Sequence, residues 1–203
     1  MGLEEALEIA KIEAESDVKS TYFFLLRTIH YNILSKEGSS IVSKILSFGH
    51  DLGLHLDVAS YPNISVGDMA IACNKEAEIL ENWFREKISI ISFHRPNKKV
   101  LQGDFELSKP KDHTYMPLYN KKIKYFSDSK GKWKFGNPLD SREFKQKKPL
   151  HILTHPLWWN KHSLSAYETL LKLVQKKNDE LEKSIAKNCE AYNVGFLKRT
   201  SIS

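Results

Sequence analysis

Gly49-His50-Asp51-Leu52-Gly53-Leu54-His55-Leu56-Asp57 carries two histidines and two aspartates in a short segment that is apolar at alternate positions. It lies between two segments with helical periodicity, so it reads as a strand that follows one helix and feeds another. Two later stretches echo it: Ser92-Phe93-His94-Arg95-Pro96 and Ile152-Leu153-Thr154-His155-Pro156. In all three, a run of strand-forming residues delivers a histidine at or just past its end.

Working outward, residues 4–15 read as an amphipathic helix with Leu3, Leu7, Ala10 and Ala14 to one side. Residues 18–26, rich in β-branched and aromatic side chains, read as a strand. Residues 39–48 form a helix with Ile41, Ile45 and Phe48 inward, and Gly49 stands where a C-terminal cap belongs. The strand at 52–56 follows. Ser65, with Asp68 three residues on, marks the N-cap of a helix running to about residue 87. That helix is expected to bury Met69, Ala72, Ile79, Leu80, Trp83 and Phe84. Residues 88–93 are a near-continuous apolar strand, and 97–122 a long irregular stretch of the kind that carries function. A strand at 123–127, a short helix at 139–146 and a strand at 150–154 follow. The closing helix, 164 to about 192, has Tyr167, Leu171, Val174, Leu181 and Ile185 as its inward face.

Helices alternate with strands that are continuous apolar runs, the pattern of a parallel sheet covered by helices, open or closed into a barrel. The alternation starts on a helix, which predicts a further strand ahead of it. The 203 residues suit one domain, 1–203. A composition 41% hydrophobic and 28% charged is that of a soluble globular protein, and no run is long enough to span a membrane. The acidic N-terminus has the wrong charge for a secretory signal. Cys73 and Cys189 read as two isolated buried thiols in a reducing cytoplasm. The net charge of +6 sits in lysine-rich loops and solvated helix faces without a nucleic-acid-binding motif, so nucleic acid is not the expected partner.

In parallel β/α folds, functional groups gather at the carboxyl ends of the strands. His30, His55 with Asp57, His94 with Arg95, Asp128 and His155 all fall there. Imidazoles and carboxylates are ligands for a hydrolytic zinc or similar ion, which takes about three protein ligands and a water. His113, His151 and His162 read as surface or linker residues. Trp158-Trp159 reads as a lid or core plug, and Trp133 equally as plug or sugar platform. No nucleophile elbow and no Gly-rich phosphate loop are present.

The ordered set of segments resembles the polysaccharide deacetylase superfamily, metal-dependent enzymes that remove acetyl groups from sugars on a deformed β/α barrel. The 49–55 segment is similar to that family's Gly-His-Glu-Ile-Gly-x-His. Residues 152–155 are similar to its final Leu-x-His, and residues 92–96 stand where it has Arg-x-Pro. Residues 128–133 (DSKGKW) stand where it has an Asp and a Trp flanking the substrate pocket. The resemblance implies that His55 is a metal ligand and that His155 is the general acid. Arg95 would orient a carboxylate, and Asp128 and Trp133 would face the substrate. The family's second metal histidine falls at Ala59, so that ligand is absent or is replaced by His94, Asp57 or His50, His50 reading mainly as a linker residue. The implied cofactor is a divalent metal, zinc first, and the implied partner an acetylated sugar or sugar-linked precursor of surface polysaccharide metabolism.

The family's first motif, an Asp-bearing strand end that supplies base and metal carboxylate, precedes the helix at 4–15. It is expected to be missing here, leaving the barrel incomplete at its N-terminus. General-base help contributes about 10²–10⁴-fold, so weak or absent deacetylase activity is expected. The rival reading is a catalytically dead carbohydrate-binding or scaffolding protein.

Overall fold

The computed structural model describes residues 2–103, 105–107, 112–159 and 164–192. The chain forms two compact units, Met1–Trp159 and Asn160–Ser203. The first is a mixed α/β unit with parallel strands. In chain order it contains α1 (Leu3–Glu15), β1 (Thr21–Phe24), α2 (Lys36–Ser47), β2 (Asp51–Asp57), α3 (Val66–Phe84) and β3 (Ile90–His94). It continues through α4 (Lys98–Gln102), β4 (Asp112–His113), β5 (Lys124–Ser127), α5 (Arg142–Lys145) and β6 (Leu150–Leu153). β1 to β4 form one parallel sheet in sequence order, and β5 and β6 form a second parallel pair.

The opening segment becomes the centre of the larger sheet. Side chains alternate across a strand, so Leu52, Leu54 and Leu56 share one face and Gly53, His55 and Asp57 the other. The three leucines are buried in the core with Val42 and Ile45 of α2 and Met69, Ala77 and Leu80 of α3. Gly49, at φ 93°, closes α2 in the left-handed region, where a side chain is strained. Gly53 answers a different need: a Cβ there would lie 2.5 Å from Cδ1 of Phe23, its partner in register on β1. Gly53→Ala is therefore expected to cost about 1–3 kcal/mol through overpacking. Thermal unfolding should show the loss, and Phe23→Leu in the same chain should recover part of it.

Several elements depart from the sequence reading. In α3 the buried stripe is Met69, Ala72, Cys73, Glu76, Ala77 and Leu80, whereas Ile79 and Trp83 are exposed. The face is turned by a carboxylate that apolar periodicity cannot count. Glu76 goes inside because Arg27 Nε (2.9 Å) and the Tyr61 hydroxyl (2.6 Å) both donate to it. Trp83 instead lays its indole over α2 and donates to Ser39 Oγ at 2.8 Å.

The stretch at 97–122 holds α4, β4 and a π turn at Leu118–Lys122. Among the described residues, β4 pairs Asp112 and His113 with β3, a run too short to show as a pattern. His113 is no surface histidine. It is fully buried, its ring stacked on Phe105 at 4.1 Å and its Nε2 2.8 Å from the Phe105 carbonyl. His151 is half-buried on β6, with Nδ1 3.0 Å from the Tyr119 carbonyl. The short helix at 139–146 divides at Ser141 into a 3₁₀ turn (Pro138–Asp140) and α5, because the Ser141 hydroxyl caps α5 by accepting from Phe144 N.

The second unit is described through α6 (Ala166–Asn188), which starts on a capping box between Ser165 and Glu168. Tyr167, Leu171, Val174, Leu181 and Ile185, expected inward, are all exposed, while Thr169 and Ala186 are buried. Cys73 is buried as expected, but Cys189 is exposed. His162 lies outside the described residues.

Candidate functional site

β2 and β3 end side by side, and the register opposes His55 to Ser92 and Asp57 to His94. His55, Asp57 and His94 thus leave the same face of the sheet at its carboxyl edge. The His55 and His94 rings meet edge-to-face with centroids 5.3 Å apart. Arg95, just past β3, has a left-handed backbone (φ 50°), which a non-glycine residue adopts only under constraint. Its guanidinium forks onto Asp57: Nε donates to Oδ1 at 3.0 Å and Nη2 donates to Oδ2. Ser60 Oγ and Ala59 N donate to the same carboxylate. The hydrogen bonds from Arg95 above all hold the Asp57 carboxyl below its ordinary range. Arg95 thus orients a carboxylate, and Asp57 is largely committed to it.

The second half of the site comes from the β5–β6 pair. Asp128 lies one residue past β5 and is buried; His155 lies two residues past β6. Asp128 accepts from three donor groups. The His155 backbone N–H reaches both oxygens at 3.0 Å, and His155 Nδ1 lies 2.6 Å from Oδ1. Trp159 Nε1 donates to Oδ2 at 2.8 Å. A carboxylate that takes the Nδ1 proton fixes the imidazole tautomer and leaves Nε2 for a reacting group. Trp159 returns to Asp128 because Pro156 opens a 3₁₀ turn (Pro156–Trp158) straight after His155. Its exposed ring meets half-buried Trp133 edge-on, with centroids 6.1 Å apart. Asp128 therefore faces His155 and the Trp133–Trp159 corner together.

The two halves interact electrostatically. Burial first, and then the neighbouring His94 and His155, push the His55 imidazole down to about 3. Burial also lowers His94, opposed by Asp57 and reinforced by Arg95, His30 and His155. Both rings are therefore neutral at physiological pH, the form that binds a metal. Nδ1 of His55 is shut off from solvent without a hydrogen-bond partner, a donor position with nothing to bind. As far as two imidazoles go, this chemistry fits a divalent metal such as zinc. A third donor is not assembled: among the described residues, no three His, Cys, Asp or Glu side chains converge closely enough to hold an ion.

His50 sits elsewhere, buried between α1 and β1, with Nε2 2.8 Å from the Ala10 carbonyl and Nδ1 accepting from Ser20 N at 3.2 Å. It is a structural bridge. Sequence reasoning gave Trp159 no role at Asp128. Its four-residue spacing from His155, interrupted by proline, was the available signal for a turn that brings indole and imidazole to one carboxylate. Compared with protein-family models, curated proteins and solved structures, the chain gives no match.

Proposed function

We propose that this chain is a carbohydrate deacetylase-type hydrolase on a β/α scaffold of the barrel kind, acting on an acetylated sugar or sugar-linked precursor. The observation that carries the proposal is the buried Asp128 carboxylate gripping His155 Nδ1 beside two neutral imidazoles. In this reading His155 donates a proton from Nε2 to the leaving amine or alcohol, and Asp128 stabilises the charged ring. The Trp133–Trp159 corner offers a sugar ring an aromatic wall. Arg95 keeps Asp57 turned into the strand edge beside His94. A divalent metal held by His55, His94 and a further donor would polarise the acyl carbonyl and lower the pKa of a bound water.

One observation favours a second reading. Among the described residues two imidazoles, and no third donor, come together for a metal, and a carbohydrate-binding protein without turnover would keep the same aromatic corner. Acetate release from N- and O-acetylated amino sugars separates the two, measured with zinc, cobalt, nickel or manganese and after chelation. A deacetylase releases acetate in a metal-dependent way and loses about 10²–10⁴-fold in turnover on His155→Ala, with sugar affinity little changed. Sugar binding without acetate release under every metal would refute the enzyme reading.

A further inference from the structure

The exposed apolar residues of α6 are spaced as a coiled-coil seam. Tyr167, Leu171, Val174, Asn178, Leu181, Ile185 and Asn188 follow one another in alternating steps of four and three residues. That repeat keeps one stripe facing a partner helix along a left-handed supercoil. Tyr167 is 74% exposed, Val174 55% and Leu181 59%, whereas the buried Thr169 and Ala186 lie on the opposite side of the helix. We propose that α6 is a dimerisation helix, pairing in parallel with α6 of a second copy of this chain.

Two features select that occupant and orientation. With Leu171 and Ile185 at a positions and Val174 and Leu181 at d, Asn178 is the central a residue. In a parallel pair it meets its own copy, and each amide can donate to and accept from the other. In an antiparallel pair it would face an apolar d residue and stay unmatched. The flanking charges agree. Lys177 falls at g and Glu182 at the following e, the two positions that touch across a parallel pair, so two copies place Lys177 beside Glu182 twice. Within a single helix Lys177 reaches Glu180 at 2.6 Å, on the same flank of the seam.

Sedimentation of the full chain over about a hundredfold concentration range tests this by mass action. The expected result is a monomer–dimer equilibrium. Leu181→Glu puts two carboxylates into the seam and should weaken it at least ~100-fold while leaving the far-ultraviolet circular dichroism unchanged. Glu182→Lys sets lysine against lysine and should weaken the dimer about three- to thirtyfold; adding Lys177→Glu should restore it. A chain that stays monomeric throughout, as it would if the stripe docked on its own 1–159 unit, overturns the proposal. So does a dimer indifferent to Leu181→Glu, or one that Lys177→Glu fails to rescue.

Discussion

Replacing Asp128 by alanine is expected to abolish turnover and destabilise the first unit together. The carboxylate is buried, and its loss strands the His155 N–H, the His155 ring N–H and the Trp159 indole N–H. Stranded donors of this kind cost about 1–3 kcal/mol each where they cannot reach water. The half-exposed His155 and Trp159 side chains recover part of that, so a total loss of about 2–4 kcal/mol is expected. Asp128→Asn keeps the volume but turns one acceptor into a donor facing other donors, so it should rescue little. His155→Ala should behave differently. It removes the proposed proton donor but leaves the Asp128–Trp159 bond and the backbone N–H bond, so turnover is expected to fall by about 10²–10⁴ with only a small change in melting temperature. The two losses in turnover should not add, because both act through one imidazole. If Asp128→Ala turned over acetylated sugar at the wild-type rate, the proton-transfer role of His155 would be untenable.

The second large effect is an acid limb in stability set by His55. Its imidazole has an ordinary pKa of 6.5 when unfolded and about 3 when folded, burial being the first cause. Above about 6.5 the ring is neutral in both states, and its folded environment carries no penalty. As pH falls from there toward about 3, the unfolded chain takes up a proton that the folded chain refuses. Stability therefore drops with acid, by up to about 1.4 kcal/mol per pH unit from this group alone. The limit is set by the single proton that the unfolded ring binds and the folded ring does not. His94 and His113 are displaced in the same direction, and Asp57, held low by Arg95, adds a loss at still lower pH. Urea unfolding between pH 7 and 4 (about three units), with chelator present, should show a shallower slope for His55→Leu than for wild type. Equal slopes would mean that His55 is reached by water and free to charge in the folded protein.

Much of this architecture is legible in the chain because local and tertiary signals agree. Ser65 caps α3 as its spacing with Asp68 requires, Gly49 ends α2 with a positive φ, and the three leucines of β2 enter the core. The histidines and aspartates at strand ends were also legible as positions. What they bond to was not. That Arg95 would spend its guanidinium on Asp57, or that Trp159 and His155 would share Asp128, depends on turns whose geometry arises after the strands pair. Ambiguity was greatest where burial and polarity part company. Glu76 and His113 are interior because particular partners satisfy them, and residue type alone gives no hint of it. On α6 the apolar period was plain, but periodicity marks a face without saying what covers it. The period predicts an inward face, and its side chains are exposed.

The order β1-β2-β3-β4 has a consequence for how the protein is made. Each strand of the larger sheet pairs with the strand just before it in the chain, so pairing needs only the closure of one helical crossover at a time. A chain emerging from a ribosome can lay these strands down in the order of their synthesis, with none waiting for a distant partner. Asp57 and Arg95 meet as soon as β3 docks. Asp128 has to wait for β6, and only the arrival of His155 and Trp159 supplies its donors. The Asp128–His155 half of the site is therefore the last part of the first unit to assemble, and the part most exposed to premature termination.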